Sequence, residues 1–227
     1  SSLFMHGRSY LENPAPWYQV GLADQRADAV RPKDYQAVIF EQRKRERIDE
    51  LRDHLQLAEN KIEFIEHHLC HLAAAYYTAP NAVPGKPILG FSCDGAGDNI
   101  SGSVSICRGN NIDRISTVRR ETSLGKIYYR ITLLMGMIPW EHEYKLMGLA
   151  PYADPERSDK AAEPLRELLR LSDDGLSFDL VGELSTHYAY EYLREVFTRV
   201  RFDVIAGAAQ LFTEEMLVNW VRAAIAK

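Results

Sequence analysis

The chain has 227 residues, 46% of them hydrophobic and 26% charged, a balance that supports one large or two small cores and excludes a disordered or collagen-like protein. Its formal net charge of −5 argues against a general nucleic-acid binder or a binder of anionic membranes, and no apolar run approaches the roughly 20 residues of a membrane span. Cys70, Cys93 and Cys107 form neither an even disulfide set nor a Cys-x-x-Cys pair and read as reduced thiols in the cytoplasm; no signal peptide is visible, but the chain opens Ser1-Ser2 without an initiator methionine, so the true amino terminus is expected to lie outside this sequence.

Residues 1–34 read as an irregular surface segment or insertion, because Pro14, Pro16 and Pro32 interrupt any long element. Asp34 to Phe40 is expected to be a short strand. Gln42 to Leu57 has the spacing of a charged amphipathic helix with Ile48, Leu51 and Leu55 on its apolar face, and its basic start, Arg43-Lys44-Arg45, reads as a solvated surface. Lys61 to Glu66 alternates as a strand does.

The next stretch, Glu66-His67-His68-Leu69-Cys70-His71, opens an alanine-rich segment that predicts a helix from about His68 to Thr78, stopped by Pro80. His67 and His71 are four apart, so a helix stacks both imidazoles on one face. That spacing admits two readings: paired ligation of one metal ion, or two side chains sharing a partly exposed surface. Pro87 to Cys93 is a nearly continuous apolar run, expected at the centre of a sheet covered on both faces, and Cys93-Asp94-Gly95-Ala96-Gly97-Asp98 follows it as a turn. Asp94, at the strand tip, is a natural third ligand in a nitrogen and oxygen set suited to iron, zinc or manganese. His68 points about 100° away from His67 on a helix and reads as a packing residue. Cys70 reads as a small buried helix residue.

Ser101 to Cys107 and Asp113 to Arg119 are expected to form a hairpin around Arg108-Gly109-Asn110-Asn111. Ser123 is placed to cap a helix over Leu124 to Met135, which Gly136 would close. Within Glu141-His142-Glu143-Tyr144-Lys145-Leu146-Met147-Gly148, Lys145 offers a point charge for a phosphate or acyl-phosphate oxygen, Gly148 permits close backbone approach, and Glu143 would orient the lysine or act as a base; a surface ion pair explains the same letters. Residues 155–171 and 187–199 are expected to be helical, separated by the turn Ser172-Asp173-Asp174-Gly175. Tyr188, Tyr190 and Tyr192 read as partly buried helix residues. Val204 to Ile225 predicts a last helix with its stripe at Ile205, Ala208, Ala209, Phe212, Met216, Trp220 and Ile225.

Taken together, EHHLCHLAAAYYTAP, SCDGAGD, SLGKIYYRIT and EHEYKLMGLAPYA, in that order and at those separations, closely resemble the carbamoyltransferase family of nodulation and antibiotic-tailoring enzymes over about residues 35–227. The resemblance implies an α/β fold: a partial actin/sugar-kinase-like domain with a mixed sheet and flanking helices, similar to the domain that modifies tRNA with threonylcarbamoyl. It further implies an ATP-dependent transfer in which carbamoyl phosphate and ATP give a carbamoyl adenylate with release of pyrophosphate, after which the carbamoyl group passes to a substrate hydroxyl. The family's HxxxH motif falls on His67 and His71 and its strand-end aspartate on Asp94, implying a metal site for iron(II) or another divalent ion. Gly95 and Gly97 fall where this superfamily rests nucleotide phosphates, with Asp98 orienting or capping that turn; Ser123 and Lys126, at the start of the following helix, are placed toward phosphate.

Family members usually begin with a strand and an Asp-Ser-Ala-like turn and continue into a second lobe and a YrdC-like domain, none of which is recognisable here. The expectation is therefore an internal or truncated portion carrying the front half of the active site, inactive alone. Its expected partners are a small-molecule hydroxyl acceptor (a sugar, an antibiotic or a lipo-oligosaccharide) and a second copy in a homodimer, with no nucleic acid and no membrane. A relative of the tRNA threonylcarbamoyl transferases and a noncatalytic actin-like scaffold are the alternatives.

Overall fold

The computed structural model describes residues 35–80 and 85–227, so the reading of residues 1–34 as an irregular segment lies outside the described residues. The chain divides into two compact units, the first ending at His67 and the second running from His68 to Lys227. In the first unit, helix α1 (Tyr35–Leu55) takes the place of the expected strand over Tyr35 to Phe40; the first residue of that strand, Asp34, lies outside the described residues. The apolar run there is contiguous with the charged helical segment, with no glycine or proline between them, and extending an existing helix costs less than starting a new element. Arg45 pairs with Glu59 at 2.7 Å and with Asp49 at 3.5 Å, and Arg52 meets Asp49 at 2.9 Å. After a short 3-10 turn, Glu59–Lys61, the backbone is extended at Ile62, but residues 62–66 join no ladder, so the strand expected over Lys61 to Glu66 does not form.

The second unit is mixed α/β. Helix α2 (His67–Tyr77) lies against strand β1 (Ile88–Gly97): a Cβ placed on Gly90 would fall 2.5 Å from Leu72 Cδ1, so the glycine leaves room for the Leu72 side chain to pack on the strand. Strands β1, β2 (Ile100–Arg108) and β3 (Asn111–Arg119) form an antiparallel sheet in the order β1-β2-β3. Among the described residues β1 is thus an edge strand and β2 the central one. The continuous apolar run of β1 reflects cover by helices on its faces, which a sequence cannot separate from central position in the sheet. The reversal after β1 also differs from expectation. Gly97 pairs with Ile100, and Asp98 and Asn99 carry φ of 50° and 67°, the paired left-handed geometry of a tight type I′ hairpin; Gly95 and Gly97 belong to the strand itself. The hairpin at Gly109 and Asn110 forms as expected, with Gly109 at φ 58°.

Helix α3 (Leu124–Leu134) is capped by Ser123, whose hydroxyl accepts from the Lys126 amide, and Gly136 closes it at φ 73°. Then come α4 (Glu143–Leu149), α5 (Pro155–Arg166), the hairpin of β4 (Leu169–Leu171) and β5 (Phe178–Leu180), α6 (Tyr190–Val196) and α7 (Phe202–Ile225). The expected helix over 155–171 therefore ends at Arg166 and gives way to a strand. Leu169 and Leu171 alternate around Arg170, a period of two that a helical reading of the run overlooked. The helix expected over 187–199 narrows to α6, and Tyr188, Tyr190 and Tyr192 are half-buried as expected.

Helix α7 is the spine of the core. Ile205, Ala208, Ala209, Phe212, Met216 and Trp220 are all buried in one cluster with Ile127 and Ile131 of α3, Leu146 of α4, Leu165 of α5 and Phe178 of β5. Ile225 is 70% exposed, because the final turn of the helix runs past this cluster. Cys70 is exposed rather than buried, since His68 and Leu72 occupy the face of α2 that packs inward. No helix among the described residues is long and apolar enough to cross a membrane.

Candidate metal centre and the adjoining pocket

Helix α2 continues unbroken from His67, so the four-residue spacing places His67 and His71 on one face of the same helix. The tip of β1 supplies the third group. One ligand atom from each of His67, His71 and Asp94 lies within 4.8 Å of the others, with His71 Nε2 at 3.5 Å from Asp94 Oδ2. Donors bound to one ion at about 2.0–2.2 Å sit no more than about 4.4 Å apart, so small side-chain rotations close this cluster on a common centre. Two imidazoles and a carboxylate form a borderline nitrogen and oxygen donor set, which fits a divalent first-row ion.

Asp94 is held by its backbone. Ser123 is fully buried, and its hydroxyl meets the Gly95 carbonyl at 2.6 Å and the Asp94 carbonyl at 3.2 Å while accepting from the Lys126 amide at 3.1 Å. A Cβ on Gly125 would sit 3.0 Å from the carbonyl carbon and oxygen of Asp94 and from the Gly95 nitrogen, all backbone atoms that cannot swing aside. Gly125→Ala is expected to displace the Asp94–Gly95 peptide and to weaken metal retention by about tenfold, comparable to losing an outer-shell support; titration of the variant with cobalt(II) measures it.

Beside Asp94 lies a pocket of about 300 Å³, bordered by Gly95, Lys126, Tyr129, Trp140, Glu143 and Leu217 among others. The Lys126 ammonium stands 4.7 Å from the Tyr129 ring centre and 5.6 Å from that of Trp140. Trp140 has φ 71°, a left-handed backbone that a bulky residue rarely adopts, and Glu143 Oε1 accepts its amide at 2.7 Å. Glu143 thus both pins this turn and borders the pocket. Burial, followed by the Asp94 charge, pushes the Cys93 thiol up to about 11, so it stays protonated at neutral pH although the residue reaches solvent.

The structure therefore brings His67, His71 and Asp94 together and sets Gly95, Lys126 and Glu143 around the neighbouring pocket. Gly97 lies further along β1, Asp98 forms the hairpin turn, and Ser123 is enclosed beneath the Asp94–Gly95 peptide. Lys145 and Gly148 are exposed on α4 and do not border the pocket, Lys145 lying 5.8 Å from the Tyr144 ring centre. Sequence reasoning missed Tyr129, Trp140 and Gly125. Tyr129 was within reach, because it follows Lys126 by three residues and so shares its helix face.

Behind α3, His187 is held neutral. Its ring nitrogen Nε2 meets Arg120 at 3.1 Å, and its carbonyl accepts from Arg130 Nε at 3.0 Å. Burial lowers its pKa to about 2, helped by the charges of Arg120, Lys126 and Arg130. The folded chain refuses a proton that the unfolded chain takes near the ordinary value of 6.5. Stability should therefore hold above that pH and fall as the solution is acidified below it, with a limiting slope of about 1.4 kcal/mol per pH unit from this group. Urea melts of His187→Gln between pH 7.5 and 5 should show a flatter dependence than the parent chain.

The chain matches the family described as Carbamoyltransferase N-terminus over residues 5–223. It is 32% identical to the nodulation protein NolNO of Sinorhizobium fredii over 123 residues, covering 54% of this chain and 17% of that protein. Identity to the nodulation protein NolO of Bradyrhizobium diazoefficiens is also 32%, over 119 residues that cover 52% of this chain and 21% of that protein. An uncharacterized protein of Methanocaldococcus jannaschii is 26% identical over 182 residues, 70% of this chain and 28% of its own length. These matches span 17% to 28% of the relatives' own lengths.

Proposed function

The chain belongs to the carbamoyltransferase N-terminus family, and on that premise we propose that it carries part of the site of an ATP-dependent O-carbamoyltransferase. Carbamoyl phosphate and ATP are the substrates, a carbamoyl adenylate is formed with release of pyrophosphate, and the carbamoyl group passes to the hydroxyl of a small molecule such as a sugar, an antibiotic or a lipo-oligosaccharide. The sheet and its helices are the first part of an actin/sugar-kinase-like domain in this reading.

The observation that carries the proposal is the convergence of His67, His71 and Asp94 within 4.8 Å, at the rim of a pocket that also receives Lys126. His67, His71 and Asp94 would hold iron(II) or another divalent ion, which when bound supplies Lewis-acid polarisation of a carbonyl or phosphoryl oxygen. Lys126 presents a fixed positive charge over Gly95, where a phosphoryl oxygen meets it without a side chain intervening. Glu143 holds the Trp140 turn and places a carboxylate at the pocket wall, in position to orient a hydroxyl. Lys145 and Gly148, on the exposed side of α4, would serve substrate reaching the site from solvent.

The test is incubation of the full-length protein with labelled carbamoyl phosphate and ATP. Pyrophosphate release that requires carbamoyl phosphate is the expected result. A metal-replete protein that releases none in its presence overturns the proposal, in favour of the tRNA-directed or noncatalytic alternatives.

A further inference from the structure

We propose that His68 is a positioning residue that fixes the register of α2 against β1 and thereby closes His67, His71 and Asp94 on one centre. The inference rests on the reading of those three side chains as metal ligands. His68 is completely buried, and it uses both ring nitrogens. Nε2 lies 3.0 Å from the Ile100 carbonyl oxygen, which can only accept, so Nε2 carries the proton and donates. Nδ1 is then an acceptor, and the Ser92 hydroxyl at 3.0 Å donates to it. With its proton committed, Ser92 accepts from the Ser103 hydroxyl at 2.7 Å. A directed chain therefore runs from Ser103 through Ser92 and His68 to Ile100, and all three side chains in it are buried. A chain of this kind has one satisfied arrangement, so it sets a position rather than merely filling space.

Its ends are attached to the elements that matter. Ser92 precedes Asp94 by two residues on β1, and Ser103 is Ser92's partner across the ladder on β2. On the helix, His68 precedes His71 by three residues, with the two ring centres 6.2 Å apart. Ser92 thus meets His68 one step before Asp94 meets His71. The second contact is short of a direct bond at 3.5 Å and lies at a half-exposed surface, so by itself it cannot hold the register. The pair one step inward can.

Cobalt(II) titration of the full chain, read by chelator competition and by the visible ligand-field bands, tests this. The variants are His68→Ala, His68→Gln and Ser92→Ala, with His71→Ala as the ligand control and thermal melts of the metal-free proteins alongside. His68→Ala is expected to weaken cobalt affinity by about 10- to 100-fold and to shift the bands, as loss of outer-shell support does. His68→Gln, whose amide can still donate to Ile100, should recover part of that loss, and Ser92→Ala should show a smaller weakening with altered bands. Because Gln and the serine variant remove little volume, they keep the test open if alanine prevents folding. Folded His68→Gln and Ser92→Ala chains with the parent's affinity and spectrum, whatever their melting temperatures, would overturn the inference while leaving the metal site standing. A parent chain that binds no cobalt, or a His71→Ala chain that binds as the parent does, removes the metal reading and this inference with it.

Discussion

Alanine in place of His71 should abolish stoichiometric metal binding, lowering affinity by more than about 100-fold, since loss of a ligand exceeds the effect of losing its outer support. The fold should scarcely notice. The His71 side chain is 55% exposed, and its contact with Asp94 is a surface pair worth about 0–1 kcal/mol. The two effects separate in a thermal melt with and without added metal. Binding to the native state alone adds about 2.7 kcal/mol at a metal concentration 100 times Kd, so the parent chain should gain stability on metal addition and His71→Ala should gain none. Asp94→Asn and His67→Ala should behave alike. Under the proposed function, carbamoyl-phosphate-dependent pyrophosphate release by the full-length protein should fall in parallel, because all three changes empty one centre. If metal stabilises His71→Ala as much as the parent, that centre is not where the ion binds.

The spacing His67, His71 and then a strand-end Asp94 was readable because a helix converts four residues into one face, and an apolar strand followed by Asp-Gly fixes a tip. What holds those groups was not. Ser123 reads correctly as an N-cap, yet its bond to the Gly95 carbonyl joins residues 28 apart and has no sequence signature. Trp140 reaches the pocket from a turn, by way of a left-handed backbone that the Glu143 carboxylate pins and that a bulky residue gives no reason to expect. The reversal at Asp98–Asn99 was hidden by the adjacent glycines: glycine is the usual residue for φ above zero, but aspartate and asparagine also tolerate it, and the glycines instead serve the irregular end of β1. The segment from Tyr35 to Phe40 shows the opposite ambiguity, where a short apolar run suits strand or helix and its neighbour decides.

The stripe of α7 was the most legible feature, since its period of 3.6 persists over many turns, and it carries the largest stability prediction. Trp220 is 1% exposed and packs between Phe91 of β1, with ring centres 5.1 Å apart, and Phe178 of β5, at 5.0 Å. Its indole nitrogen donates to the Leu176 carbonyl at 2.9 Å. One side chain therefore ties the three-stranded sheet, the β4–β5 hairpin and the longest helix together. Trp220→Ala should cost about 3–5 kcal/mol and lower Tm by roughly 10 °C. Trp220→Phe keeps much of the aromatic contact but leaves the Leu176 carbonyl without its donor, which should cost about 1–3 kcal/mol. Urea denaturation should rank the two variants in that order. The proposed metal centre depends on this core indirectly, through β1, so Trp220→Phe should bind cobalt(II) with nearly the parent's affinity at temperatures where it is folded. If it loses stability and metal together, then β1 owes the placement of Asp94 to Phe91 and Trp220 rather than to the contacts of Ser92 and Ser123.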